Sequence, residues 1–496
     1  MTSLIKYLVA LFVTLTLGQL SAQTFSAQLL DQKTNTPIPF ATVQYGTHRG
    51  VITNEDGVFN FTLRAKAKAT DSLYISSMGY EKKAFALQSQ LDPIIYLAPK
   101  VFELKTVFLS SNPLDAEDII EKVKENLAVN YKVSLSKKKI FFRQSDLSHM
   151  KKVDFGFQKS TIAELDKQLI DSIAGLVPKQ SSYYREALGD FYGDYSKHKF
   201  HIDKAAELYD KNKDVSMDGL SDKMEGIFKA NIKPDSYLKI KSGFFSTKVQ
   251  LDSLKAEHEE ESDAFVTVEN TDNQNFNQEM TDNISELYEQ LFFNEDSKID
   301  VLRKSNRYEF TLEDYTYIDD TPVYILTFEP KGKKDFKGTM YVNFDDYAIL
   351  RLEFNNVRPI QTFGLLGITY RHNVYKGRML FQKDVAGGYS PKYLELDSGL
   401  YFGLKRPLKV IEKNKHVRGR RKQNELSLKL DIKMTQRNKF ELVVFDSENI
   451  NAATYDSATE NKAVKATYLS QYDATFWQGY SIMEPNAAIQ AFKVVE

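Results

Sequence analysis

The stretch TPVYILTFEPKGKKDFKGTMYVNFDDYAILRLEF, residues 321–354, indicates the fold of the larger part of this chain. Three runs within it alternate large apolar residues with other residues, and turn-prone residues separate the runs. Successive side chains of a strand point to opposite faces, so each run places its large apolar groups on one face. The pattern predicts an antiparallel sheet with an apolar face formed by Tyr324, Leu326, Phe328, Met340, Val342, Phe344, Leu352 and Phe354.

These eight residues are the candidate ligand-binding residues of the chain. Their shared face can border a cavity that holds a lipid or another apolar ligand. It can equally be core that packs beneath helices, and the residues alone leave both interpretations open.

The first residues have the features of an export signal. Lys6 provides a positive charge, 7–17 form an apolar run, and small residues precede Gln23. An apolar run of this length suits a signal peptide and is too short to span a bilayer. We expect residues 1–22 to be removed, and the protein to work in the periplasm or in association with the outer membrane.

Composition narrows the classes of partner. Lys and Arg total 66 against 67 Asp and Glu, a balance that argues against a nucleic-acid partner. The chain has no Cys, which excludes disulfides, thiolate metal sites and a lipid-modified cysteine. After the signal, no apolar run is long enough for a transmembrane segment.

Residues 23–98 are predicted to form a small β-sandwich. About seven short β-rich runs follow one another here, with turn signals between them. One signal is Asp56-Gly57, because glycine readily adopts the positive φ of a tight turn.

Three motifs in this region carry a resemblance to a known family. Residues 37–43 (PIPFATV), 50–59 (GVITNEDGVF) and 76–80 (SSMGY) resemble the carboxypeptidase regulatory-like domain in the expected order. That domain is a transthyretin-like β-sandwich common on envelope proteins of Bacteroidota. The resemblance implies an accessory module that accompanies other domains and is not itself a peptidase.

The rest of the chain is divided as follows. Residues 99–136 are predicted to be a linker and an amphipathic helix that opens near Asp115. Residues 137–445 are predicted to form the sheet domain, with a helical insertion at about 162–300. Residues 446–496 form a tail, whose aromatic residues around Trp477 are expected to dock it on that sheet.

The strand pattern of 324–354 is also similar to that of lipoprotein-sorting (LolA-like) proteins. This resemblance implies a curved antiparallel sheet, an incomplete barrel, with helices over an apolar cavity that shelters acyl chains. It transfers no particular binding residue. The resulting fold class is α+β and multi-domain, with an N-terminal transthyretin-like β-sandwich followed by this larger domain.

No motif supports catalysis, a cofactor or a metal. His258 and Glu261 match the H-x-x-E of zinc carboxypeptidases, but they lie in a polyacidic run without a flanking apolar strand. His198 and His201 could place two imidazoles together on a helix, without an accompanying Glu motif. A calcium-like loop beginning at Asp210 lacks the required Gly and the bidentate Glu. We therefore expect a protein that is not an enzyme.

One further stretch of the sequence bears on the partners of the protein. The basic stretch 413–422 is either a solvated hairpin loop or a contact with anionic lipid headgroups.

The favoured function is an exported, non-catalytic envelope protein that binds an apolar ligand or an outer-membrane protein partner. The alternatives are a purely structural component, or a hydrolase in which carboxylates or His198, His201 and His372 converge.

Overall fold

The computed structural model describes most of the chain in two compact units. Unit 1 comprises the residues up to 101 together with 473–486, and unit 2 comprises 102–472 together with 487–496. Strands account for 53% of the structure. The described residues are 23–45, 49–63, 71–87, 90–100, 114–132, 134–211, 223–233, 236–250, 276–384, 387–414, 416 and 421–494.

Unit 1 contains two sheets, as the turn-rich sequence predicted. One sheet has the order β4-β1-β7, with β1 and β7 parallel, and the other has the order β3-β2-β5-β6. The Phe61 ring stacks on Phe25 at 5.0 Å and on Tyr45 at 4.9 Å, which joins the two sheets through aromatic packing. The strands are β1 (Gln23–Asp31), β2 (Thr42–Tyr45), β3 (Arg49–Ile52), β4 (Val58–Leu63), β5 (Ser72–Ser76), β6 (Lys83–Ala86) and β7 (Ile94–Leu97).

Asn54 connects the tail segment 473–486 with a tight turn of unit 1. Its Oδ1 accepts the backbone N–H groups of Asp56 at 3.0 Å and Val58 at 2.9 Å, and Gly57 has a φ of 72°. Its Nδ2 donates to the carbonyl of Pro485 at 3.1 Å. The tail was expected to dock on the large sheet. This part of it instead belongs to unit 1, where the Asn54 amide satisfies its backbone.

Unit 2 is organised around a sheet of 15 strands that is not closed into a barrel. Its main path runs β14-β15-β16-β17-β19-β20-β21-β8-β10-β11-β22, and β9, β12, β13 and β18 pair beside that path. The strands are β8 (Ser136–Asp154), β9 (Phe157–Ser160), β10 (Gln180–Gly193), β11 (His198–Leu208), β12 (Ser236–Ser242), β13 (Phe245–Gln250), β14 (Tyr308–Ile318), β15 (Thr321–Pro330), β16 (Phe336–Asn343), β17 (Ile349–Asn356), β18 (Thr362–Leu365), β19 (Ile368–Lys383), β20 (Tyr389–Asn414), β21 (Lys422–Asn449) and β22 (Thr467–Leu469).

The first and third of the helices named below lie on one face of this sheet, which we call the helix-side face. Asp115 caps the first helix by accepting the N–H of Asp118 at 2.8 Å, as its position in the sequence predicted. The amide of Asn283 on the third helix donates to Gln144 of β8 at 2.8 Å. The helices are α1 (Ala116–Asn130), α2 (Lys167–Leu176), α3 (Phe276–Glu289), α4 (Ala452–Ser457) and α5 (Ala487–Gln490), with a 3₁₀ turn at Ser305–Arg307. Residues 223–231 are also helical. No helix among the described residues has the length and apolarity that crossing a membrane requires.

The structure differs from the sequence prediction in several elements. The region 162–300 supplies β10, β11, β12 and β13 as well as helices, because its polar strand faces hide the alternation that marks a strand. Near the end of the sheet domain, the chain forms the single long strand β21.

Candidate binding site

The eight predicted ligand-binding residues lie on the helix-side face of β15, β16 and β17 or directly after β16. Leu326 pairs with Met340, and Met340 pairs with Leu352, so three of them form one row across three strands. The Tyr324 and Phe344 rings stack with centroids 4.0 Å apart. Phe344 is partly buried, and the other seven are buried. The structure therefore brings the eight residues together in one layer.

The row of Leu326, Met340 and Leu352 continues through the centre of the sheet. Successive pairings lead from Leu352 to residues of β19, β20, β21 and β8, all of them buried. The four residues that continue the row are Met379, Leu394, Leu442 and Phe142. The apolar layer predicted for three strands thus extends across seven.

Two glycines allow phenylalanine rings to lie flat in this layer. A Cβ added at Gly338 would lie 2.7 Å from the Phe328 ring and 1.9 Å from the carbonyl of Glu353. A Cβ added at Gly377 would lie 2.9 Å from the Phe354 ring. The rings cover the glycine backbones, and this part of the layer is closely packed.

Gly338→Ala is expected to destabilise unit 2 by about 1–3 kcal/mol, because the added methyl overpacks the layer. Chemical denaturation of the full chain would measure the loss. The matched control is Gly364→Ala on the exposed strand β18, where an added Cβ meets nothing within 4 Å. Equal stability of the two variants would show that the packing around Gly338 is loose.

Aromatic rings gather at one end of the helix-side face, and we call this group the aromatic cluster. Tyr131, directly after α1, stacks on Phe293 at 4.8 Å and meets Phe292 edge-on at 5.2 Å. The Tyr131 hydroxyl donates to the carbonyl of Ile349 at 2.8 Å, which fixes the helix end to β17. The members of the cluster are Tyr131, Tyr195, Tyr288, Phe292, Phe293, Phe381 and Tyr389.

A buried lysine lies against this cluster. Lys138 of β8 is 5% exposed, and its Nζ lies 5.1 Å from the Tyr195 ring centroid and 5.8 Å from that of Tyr288. Burial lowers the pKa of Lys138 to about 8, against the raising influence of Asp384 and Asp194. Among the described residues, none forms an ion pair with this ammonium.

The Tyr288 side chain that lies beside Lys138 carries an unsatisfied hydroxyl. It is buried and has no hydrogen-bond partner among the described atoms. A buried hydroxyl without a partner costs free energy, and so does a buried ammonium without a counter-charge. The two groups together can offer a hydrogen-bond donor and a positive charge to one ligand group.

The other face of the sheet carries a row of alternating charges, which we call the charge ladder. Glu353 accepts Arg378 Nε at 2.8 Å, and Arg143 Nε donates to Glu186 at 2.7 Å. Burial acts to raise the pKa of Glu353, but Arg351 and Arg378 hold it below its usual value. The ladder comprises Arg351, Glu353, Arg378, Glu395, Lys439, Glu441, Arg143 and Glu186.

A groove of about 410 Å³ lies beside one end of this ladder, over strands β15 to β20. Gly338 and Gly377 are among the residues that line it. Its charged lining residues are Glu329, Lys337, Glu353, Lys376, Arg378 and Glu395. The mixture of charges suits a polar or zwitterionic ligand better than an apolar one.

Each histidine considered for metal binding contacts a different group of the protein. His201 Nδ1 contacts the carbonyl of Thr459 at 3.0 Å, and His372 Nε2 contacts Ser398 Oγ at 2.8 Å. His198 and His201 lie on strand β11 and not on a helix, because the strand pairs with β10 throughout. His198 contacts Ser285 on α3. Within the described ranges, no group of three or more His, Asp or Glu residues could hold a metal.

Several predicted features fall outside the described residues. They are the signal at 1–22, the H-x-x-E motif at 258–261, most of the calcium-like loop, and most of the basic stretch 413–422. Lys413 and Lys422, which are described, pair across β20 and β21.

The sequence analysis missed Lys138, although a signal was present. Lys138 precedes Ile140 and Phe142 at intervals of two, so strand parity places it on the same buried face. Because Lys137 and Lys139 flank it, the segment resembles the solvent-exposed beginning of a strand. The charge ladder was missed for a similar reason, because alternating charges usually indicate a solvated face.

Comparison with known proteins identifies the N-terminal region. Residues 25–109 match the family model of the CarboxypepD_reg-like domain. The match confirms the resemblance predicted from the three motifs, and it covers the seven strands of the sandwich. No curated protein matches the chain.

Solved structures similar to this chain include two from the lipoprotein-sorting group. A domain described as an outer membrane lipoprotein-sorting protein, from Vibrio parahaemolyticus, is 11% identical with a TM-score of 0.21, covering 69% of this chain and 97% of its own. A LolA superfamily protein from Nitrosomonas europaea is 10% identical with a TM-score of 0.17, covering 69% and 98%. The MucA/MucB complex of Pseudomonas aeruginosa gives 8% identity and a TM-score of 0.14, covering 70% and 98%.

Proposed function

We propose that unit 2 binds an amphipathic ligand and that the protein is a non-catalytic binding component of the cell envelope. The apolar part of the ligand lies against the layer that contains Leu326, Met340 and Leu352, next to the aromatic cluster. Its anionic group pairs with Lys138. Export through the signal at 1–22 then delivers the protein to the periplasmic or outer-membrane side.

The observation that carries this proposal is that the buried Lys138 ammonium, which has no ion-pair partner among the described residues, lies against the ring of Tyr288, whose hydroxyl has no hydrogen-bond partner there. An ammonium that is 5% exposed, lies against aromatic rings and has no ion-pair partner among the described residues is costly in an empty protein. An anionic ligand group would relieve that cost and would also accept a hydrogen bond from the Tyr288 hydroxyl. The neighbouring rings provide apolar area for the rest of the ligand.

A protein partner is the second candidate, and the groove beside the charge ladder favours it. Six charged side chains line that groove, among them Lys337 and Lys376. Charged and polar linings of this kind favour specific orientation of a partner over tight apolar binding.

Lys138→Met is expected to remove the anionic ligand and to stabilise the empty protein by about 1–3 kcal/mol at pH 7. The measurement is native mass spectrometry of the gently purified chain for the ligand, with denaturant unfolding for stability. The matched control is Lys392→Met. Lys392 is as buried as Lys138 and has its pKa lowered to about 8 by burial, but it has no ring contact with the cluster. Equal ligand content in both variants would contradict the proposal.

The stability gap between wild type and Lys138→Met should depend on pH in a defined direction. The pKa of Lys138 is about 8 when folded and about 10.5 when unfolded, so the unfolded chain holds the proton more tightly. The penalty is therefore complete below pH 8 and fades as the pH rises from 8 to 10.5. A gap that stays constant over this window would show that Lys138 keeps an ordinary pKa.

A further inference from the structure

Two hairpin tips of unit 2 expose large apolar side chains to solvent. Phe244, in the turn between β12 and β13, is 95% exposed, and Phe245 beside it is also exposed. At the turn between β18 and β19, Leu365 is 56% exposed, and Phe363 and Leu366 are exposed as well. Side chains of this size at hairpin tips contribute nothing to the core that their strands form.

The two tips converge on the same segment of β20. Lys405 donates its backbone N–H to the carbonyl of Gly367 at 2.7 Å, which holds the β18–β19 tip against β20. Arg406 donates to the carbonyl of Ser242 and lies 5.1 Å from the Phe245 ring, which holds the β12–β13 tip against β20. The apolar residues of both tips therefore form one surface around a buried arginine, which we call the apolar tip surface.

The strands that carry this surface are strongly basic. The segments 236–250, 362–372 and 401–411 contain seven Lys and Arg residues and no Asp or Glu, in a chain with a net charge of −1. On the neighbouring strand β21, two acidic residues lie opposite these segments, and lysines pair with both. Lys152 pairs with Asp431 at 2.6 Å, and Lys159 and Lys422 pair with Glu425. The seven are Lys239, Lys241, Lys248, Arg371, Lys405, Arg406 and Lys409.

We propose that the apolar tip surface docks on an anionic lipid bilayer. Exposed Phe and Leu side chains at the tips enter the headgroup region, and the surrounding lysines attract the negative surface. The positive charge around the tips favours an anionic bilayer as the binding partner, because an apolar surface surrounded by positive charge complements acidic lipid. This docking would bring unit 2 to a membrane whether or not its helix-covered layer holds a ligand.

Vesicle flotation with the mature full-length protein tests the proposal. We expect binding to vesicles of phosphatidylglycerol with phosphatidylethanolamine, weaker binding in high salt, and little binding to phosphatidylcholine alone. Lys405→Glu with Lys409→Glu should weaken binding at least about thirtyfold. Phe244→Ser with Leu365→Ser should weaken it about a hundredfold, since each loses the burial of a large apolar side chain.

Matched variants test whether vesicle binding depends on this surface or only on the overall charge and exposed apolar area of the protein. Lys331→Glu with Lys333→Glu changes the same charge in the β15–β16 turn, and Val129→Ser removes another exposed apolar residue; both should bind as wild type does. In wild type, vesicles should also slow hydrogen exchange at 243–246, a measurement that does not depend on any variant. Absence of vesicle binding, equal binding to both lipid mixtures, or capture of a protein partner by this surface without vesicle binding would overturn the proposal.

Discussion

Arg143→Met is expected to lower the free energy of unfolding of unit 2 by about 3–5 kcal/mol. Arg143 is 1% exposed, donates to Glu186 at 2.7 Å, and has Glu441 at 3.9 Å. Loss of the guanidinium leaves the buried Glu186 carboxylate without its counter-charge. The loss should appear as a lower midpoint in denaturant unfolding of the full chain.

Two variants establish that the effect comes from the buried charge. Lys152→Met breaks the ion pair with Asp431, where Lys152 is exposed, and should lower stability far less than Arg143→Met does, because solvent screens an exposed pair. Arg143→Met combined with Glu186→Leu should recover much of the loss, because the unpaired carboxylate is gone while Lys439 still pairs with Glu441 at 3.2 Å. A double variant less stable than Arg143→Met would instead assign Glu186 a role independent of Arg143.

Trp477→Ala is expected to destabilise unit 1 by about 3–5 kcal/mol, a large share of the stability of a small domain. Trp477 is buried within the tail segment that belongs to unit 1, near Phe476 and Tyr480. Hydrogen exchange followed by mass spectrometry of the full chain would show the loss as faster exchange in β1 and β4.

The neighbouring Gln478 provides the control for this experiment, since it is exposed in the same segment. Gln478→Ala should leave exchange in β1 and β4 unchanged, and Trp477→Ala should leave the strands of unit 2 unchanged. Faster exchange in unit 2 alone would contradict the assignment of this tail segment to unit 1.

Turns, helix starts and strand faces that depend on residues close together in the sequence could be predicted from the local sequence pattern. Asn54 to Gly57 predicted a turn because both residues act through their own backbone neighbourhood, and Asp115 predicted a helix start in the same way. The alternation in β15, β16 and β17 gave the correct faces, since pairing there is between strands adjacent in sequence.

Features that depend on distant pairing could not be predicted from local pattern. Glu186 and Arg143 are typical surface residues, and only the pairing of β10 with β8 reveals that they neutralise each other in the interior. The Pro485 carbonyl gives no sign in the sequence that it accepts the Asn54 amide. Polar strands such as β12 were missed because neither face is apolar enough to show a period of two.

The position of β21 in the sheet has a consequence for the order in which the chain can fold. β21 joins β20 to β8, and Asn438 of β21 contacts Asp146 of β8 across a separation of 292 residues. Until β21 is available, β8 with β10 and β11 on one side, and β14 through β20 on the other, each present an unpaired strand edge. Long-range closure of this kind is slow, and exposed edges invite aggregation. The last long strand to be synthesised is therefore the one that joins the two parts into a single sheet and covers both of their exposed edges.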